Sequence, residues 1–135
     1  MNIFIEPDFT SHYQKSPLLL IDIGASGGLE DNWKPAEKYL KVLGFEPDKT
    51  AWENLSKQKK ENYKYLNTGL YSNKGSVDFN IAKKQKVSSI YSPNLKLLNQ
   101  FPEVERFEIT ETVKIEVDFL DSVLEKSNIN NPDFI

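Results

Sequence analysis

The chain has 135 residues, a formal charge of -3 and a pI of about 5.2, with 39% hydrophobic and 27% charged residues. These values describe one soluble globular domain with enough apolar material for a core, and they argue against a broad electrostatic grip on nucleic acid. The absence of cysteine excludes a disulfide framework, a thiol nucleophile and thiolate metal ligands, and accords with a cytoplasmic protein.

Residues 1–17 read as a lead-in segment, a short helix or strand packed on the outside. Pro7, Ser11, Ser16 and Pro17 are scattered through it among aromatics. Glu6 and Asp8 stand where a signal peptide would be basic, so the reading is of no leader. His12, the single histidine, reads as structural or exposed. Residues 18–23, LLLIDI, form an apolar run with one acid, as in a strand buried on both faces of a parallel sheet. The run is too short to span a bilayer. Gly24, Ala25, Ser26, Gly27 and Gly28 then make a turn of small residues. Such a turn either lets the backbone approach a ligand closely or is a plain tight loop, with Asp22 at its mouth.

Next, Asp31 or Asn32 is placed to cap a short helix that tolerates Pro35 in its first turn. Trp33, Ala36, Tyr39 and Leu40 fall on its inner face, with Trp33 as core rather than a ligand platform. Val42 to Glu46 reads as a second buried strand ending in an acid. Asp48 is placed to cap a helix whose inner face holds Trp52 and Leu55, and residues 63–67 make a third strand. This β, turn, α, β, α, β order is that of a doubly wound, mostly parallel α/β sheet. Beyond it, residues 69–81 read as two extended segments around an Asn73-Lys74-Gly75 turn, with Val77, Phe79 and Ile81 alternating. Residues 83–94 read as polar and flexible, and Leu95, Leu97 and Leu98 start a short helix closed off by Pro102. Residues 107–117 read as one or two strands. Leu120, Val123 and Leu124 mark a helix, and Phe134-Ile135 look like the start of a further strand. The Lys-rich stretches 57–64 and 83–86 read as solvated faces. No repeat or linker is visible.

Two acids are placed for chemistry, Asp22 at the glycine turn and Glu46 at the end of the next strand. Adjacent parallel strands bring both ends to the sheet edge where ligands bind, and a carboxylate there can accept from both hydroxyls of a ribose. A dinucleotide fingerprint needs glycine where Ser26 and Leu29 stand. The pattern therefore favours S-adenosylmethionine, which has no pyrophosphate, over NAD. A non-catalytic module that binds a partner chain stays open as a third reading.

These residues also carry a family resemblance. Residues 22–29 (DIGASGGL), Gly44-Phe45-Glu46-Pro47-Asp48, Gly69-Leu70-Tyr71, Ser88-Ser89-Ile90 and Val117-Asp118-Phe119-Leu120-Asp121 follow the order seen in FkbM-type methyltransferases, over residues 18–135. The resemblance implies a Rossmann-like class I fold that uses S-adenosylmethionine, usually to methylate an oxygen of a sugar or other small metabolite. It implies a cofactor site of Asp22, Gly24, Ala25, Ser26 and Gly28, a ribose acid at Glu46 followed by Pro47, and Gly69 and Leu70 near the adenine. Ser26 and Phe119 depart from the commoner family residues. The family continues past Asp133-Phe134-Ile135 into a strand facing the methyl group. The expectation is thus a domain over 18–135, truncated before its fourth core strand, that holds the cofactor half and is inactive alone. Its unpaired sheet edge would favour self-association. No catalytic residue is assigned, and no metal, membrane or nucleic acid is expected.

Overall fold

Two sheets organise residues 6–135, the part that the computed structural model describes. The first is parallel with order β1-β2-β3, formed by β1 (Leu18–Ile23), β2 (Leu40–Phe45) and β3 (Tyr63–Leu66). Its register sets Asp22 beside Gly44 and Gly44 beside Tyr65. Both strand ends that carry the acids therefore reach one edge, as the sequence led us to expect.

Alternate residues of β1 and β2 feed two apolar layers, because successive strand side chains point to opposite faces. Leu20, Leu40 and Val42 pack with Ala36, Leu29 and Trp33 on one side. Ile21, Leu43 and Phe45 pack on the other with Val123 and Leu124 of helix α4 (Leu120–Lys126). Covering on both faces explains why the strands read as continuous apolar runs. On the free side of β1, Phe134 bridges Leu20 in parallel, and the Ile21 N–H donates to the Phe134 carbonyl at 2.9 Å. The Leu19 N–H donates to the Asp133 carboxylate at 2.7 Å. Phe134, the first of the two residues read as the start of a further strand, thus forms a single bridge to β1.

Several elements differ from expectation. Asp31–Tyr39 winds as a 3-10 helix with Pro35 inside it, and its N-cap is Glu30 without a side-chain cap. Proline removes one donor and crowds the preceding turn, so an α-helical segment is not sustained there. Asp31 pairs with Lys34 at 2.5 Å instead of capping. Helix α2 (Lys49–Ser56) follows expectation, with the Asp48 carboxylate accepting from the Ala51 N–H at 2.8 Å. Its fully buried residues are Ala51 and Leu55, while Trp52 is half-buried and donates to the Tyr65 carbonyl at 3.0 Å. The lead-in holds helix α1 (Pro7–Lys15), which buries no residue, and residues 1–5 of that segment lie outside the described ones.

The second sheet keeps the two extended segments read around residues 73–75 and corrects one expectation, that of a mostly parallel sheet. Strands β4 (Gly69–Leu70) and β5 (Gly75–Ala82) do not pair around residues 73–75, because β6 (Ile109–Asp118) lies between them. The order is β4-β6-β5, with β4 parallel and β5 antiparallel to β6, so this part is mixed rather than mostly parallel. Gly69 and Gly75 both flank Val117. The long alternating β5 finds a long alternating partner in β6, which a two-residue β4 cannot offer. Phe79, Ile115 and Val117 form the core of this sheet. A short helix α3 (Leu95–Leu98) precedes β6.

Candidate functional site

The C-terminal ends of β1 and β2 open into a cleft of about 250 Å³. Six of the residues singled out from sequence line it: Asp22, Gly24, Ser26, Gly28, Glu46 and Pro47. Ala25, Gly69 and Leu70 do not. Ala25 is fully buried under the turn, Gly69 faces Ile115, Val117 and Pro47, and Leu70 packs against the core beside α4. The cleft gains Glu30, Asp48, Phe79, Gln85, Lys86 and Ser88, which the sequence argument left out of the site.

The turn is built by backbone bonds. The Gly24 and Ala25 N–H groups both donate to the Phe45 carbonyl, at 2.9 and 3.0 Å, and the Gly28 N–H donates to the Ala25 carbonyl at 2.8 Å. Gly24 has φ +77 with open space where a Cβ would stand, so conformation rather than crowding calls for glycine there. At Gly44 the reason is steric, since a Cβ would come within 2.5 Å of the Tyr65 ring and 3.1 Å of the Ala25 Cβ. The glycine before Phe45-Glu46 therefore lets the ring of β3 and the turn after β1 close on β2.

Glu46 is only 3% exposed. The Asp48 N–H donates to its Oε1 at 2.8 Å, and the Ser26 N–H also donates to the carboxylate. Burial pushes the carboxyl above its ordinary range; the two N–H groups oppose that rise, and the charges of Asp48 and Asp22 add to it. Asp22 is likewise pushed up, by burial first and by Glu30 second. Partial burial first, then the charges of Asp22 and Glu37, raise the half-buried Tyr65 hydroxyl to about 12. The Asn67 amide donates to the carbonyls of Glu46 and Pro47, at 2.9 and 3.0 Å, and clamps the bend that presents Glu46. Asn67 was read only as the end of a strand; an amide directly after β3 was the available signal.

One side of the cleft comes from the second sheet. Phe79 on β5 and the loop after it, with Gln85, Lys86 and Ser88, face the acids. The Ser88 hydroxyl accepts from the Ala82 N–H at 3.0 Å, and Ser89 exchanges two backbone bonds with Asn80, at 2.8 and 3.0 Å. The Ser-Ser pair therefore fixes a loop that sequence reading took as flexible. Among the described residues, no group of three His, Cys, Asp or Glu side chains is placed to hold a metal ion, and no helix is long and apolar enough to cross a membrane.

Residues 22–135 match the methyltransferase FkbM domain. The match takes in the glycine turn, the Glu46 bend, the Ser-Ser loop and residues 133–134 on β1. The chain belongs to the FkbM methyltransferase domain family. No curated protein and no solved structure matches the chain. Membership makes this FkbM domain a methyltransferase domain, which implies a methyl-donor cofactor. The parallel sheet with its acidic edge is consistent with that class.

Proposed function

We propose that this FkbM domain is the donor-binding part of a Rossmann-like methyltransferase that uses S-adenosylmethionine. The observation that carries the reading is the electrostatic character of the cleft. Four carboxylates line it (Asp22, Glu30, Glu46 and Asp48) against one cation, Lys86. The turn's N–H groups at Gly24, Ala25, Ser26 and Gly28 are already spent on Phe45, Glu46 and Ala25. A pyrophosphate needs free N–H groups and positive potential at such a turn. A cationic nucleoside without phosphate needs neither, so the residues present fit S-adenosylmethionine better than NAD.

When bound, that donor supplies an electrophilic methyl group on a sulfonium. The protein's part is to hold it. Glu46, fixed by two N–H groups, keeps acceptor capacity for the two ribose hydroxyls. Asp22 and Glu30 give negative charge to the cationic end, and the open side of Gly24 leaves room for it. An oxygen of a sugar or another small metabolite as acceptor follows from the family resemblance alone.

Calorimetric titration with S-adenosylhomocysteine and with NADH tests the reading. The first ligand is expected to bind, and Glu46→Ala to weaken it roughly tenfold or more. Binding of NADH in preference would return the domain to the dinucleotide reading, and binding of neither would favour the partner-binding module.

A further inference from the structure

We propose that Lys86 is the residue that recognises the carboxylate of the donor's amino-acid tail, so that the loop after β5 selects donors carrying a free α-carboxylate. This rests on the cofactor reading above and assigns the end of the ligand that the acids cannot bind. S-adenosylmethionine has two cationic centres and one anionic group. Asp22, Glu30, Glu46 and Asp48 suit its sulfonium, ammonium and ribose and would repel its carboxylate. Lys86 is the single cation lining the cleft, and its position is specific. Its Cε and Nζ lie 3.4 and 3.7 Å from the point where a Cβ on Gly27 would stand, so the ammonium sits over the glycine turn. Glu46 marks the ribose end at β2, which puts the tail on the β1 side, where Lys86 lines the same cleft as Asp22 and Gly24.

Three further observations support the assignment. Lys86 has no carboxylate within ion-pair distance among the described residues, whereas the nearby Lys34, Lys60 and Lys83 are paired with Asp31, Glu37 and Glu108. Its charge acts at longer range on Asp31, which Lys34 already pairs, so the ammonium stays available to a ligand. The side chain is carried on a short 3-10 turn, Gln85–Val87. That turn is held at both ends, by the Val87 N–H to the Lys84 carbonyl at 2.9 Å and by the Ala82 N–H to the Ser88 hydroxyl at 3.0 Å. The ammonium is therefore presented from a fixed base, which reduces the ordering cost of binding. Gly27 also has φ +88 and no side chain, which lets the Lys86 stem rest directly on the turn at the rim of the cleft.

The test compares two nucleosides that differ only at the tail. S-adenosylhomocysteine carries the amino-acid group, and 5′-methylthioadenosine has the same adenosine and thioether without it. Titration of the intact chain and of Lys86→Met should show the first ligand weakened roughly tenfold or more and the second changed less than twofold. Lys86→Arg should restore most of the loss, and raised salt should narrow the gap in the parent chain. Equal affinity of parent and Lys86→Met for S-adenosylhomocysteine would overturn the assignment while leaving the cofactor reading intact. So would equal weakening of both nucleosides. If the parent chain bound neither nucleoside, both readings would fall together.

Discussion

Gly44 shows how closely one residue can tie packing to chemistry. Its missing Cβ is the space in which the Tyr65 ring and Ala25 meet. Gly44→Ala would push a methyl to 2.5 Å from that ring, and Ala25 behind it is fixed in the turn. We expect a loss of about 1–3 kcal/mol in urea-induced unfolding, the usual cost of overpacking. The same substitution presses on Ala25 in the glycine turn that lines the cleft, so donor affinity should fall as well. Neither consequence was readable in advance. The sequence shows a glycine before Phe45-Glu46, but the residue it makes room for is twenty-one positions further on and becomes visible only in the register of β2 on β3.

At the scale of elements, the acids do double duty. Asp48 caps α2 through the Ala51 N–H and also sits close enough to Glu46 to raise its proton affinity. Asp48→Asn keeps a capping oxygen and removes the charge; Asp48→Ala removes both. Thermal unfolding should place Asp48→Asn near the parent chain and Asp48→Ala about 1 kcal/mol below it. This cap was legible because Pro47-Asp48 follows an apolar strand and precedes a helical period. The parallel sheet and the pairing of Asp22 with Glu46 at one edge were legible for the same reason, since both follow from local period and turn chemistry. The second sheet was not. Which strand lies beside β5 depends on contacts with β6 that are 27 to 42 residues away, and alternation in both segments does not say which will be the neighbour. Phe79 and Lys86 enter the cleft through that pairing, so one read as an apolar position of an alternating strand and the other as a solvated charge.

For the whole molecule, the buried acids shape stability against pH. Glu46 and Asp22 have folded-state proton affinities above their ordinary values of 4.5 and 3.8, so the folded state takes up protons before the unfolded chain does. Above that window their charges cost stability, and the cost is relieved as pH falls through the raised values. Asp118 works in the opposite sense. The Lys126 ammonium at 2.6 Å holds its carboxyl below the ordinary 3.8, so its contribution is present above that value and lost as pH falls through the lowered one. Urea titrations should therefore show stability rising as pH falls from neutral toward the ordinary carboxylate range, and falling again below 3.8 as Asp118 takes up its proton. Glu46→Gln should flatten that rise on the neutral side. Affinity for a cationic donor should decline on the same acid side, as Glu46 and Asp22 lose their charge.

The contact of Asp133 and Phe134 with β1 has a further consequence, for the time course of folding. Leu18 meets Leu40 across a gap of some twenty residues, whereas Leu19 meets Asp133 across 114. Closing the longer loop costs about 1.5 kcal/mol more in chain entropy, before any contact offsets it. The β1-β2 pair can thus assemble early, with the seam at Leu19–Ile21 closing last. Until it closes, the outer edge of β1, the strand that presents Asp22 and the glycine turn, stays open to any other extended chain.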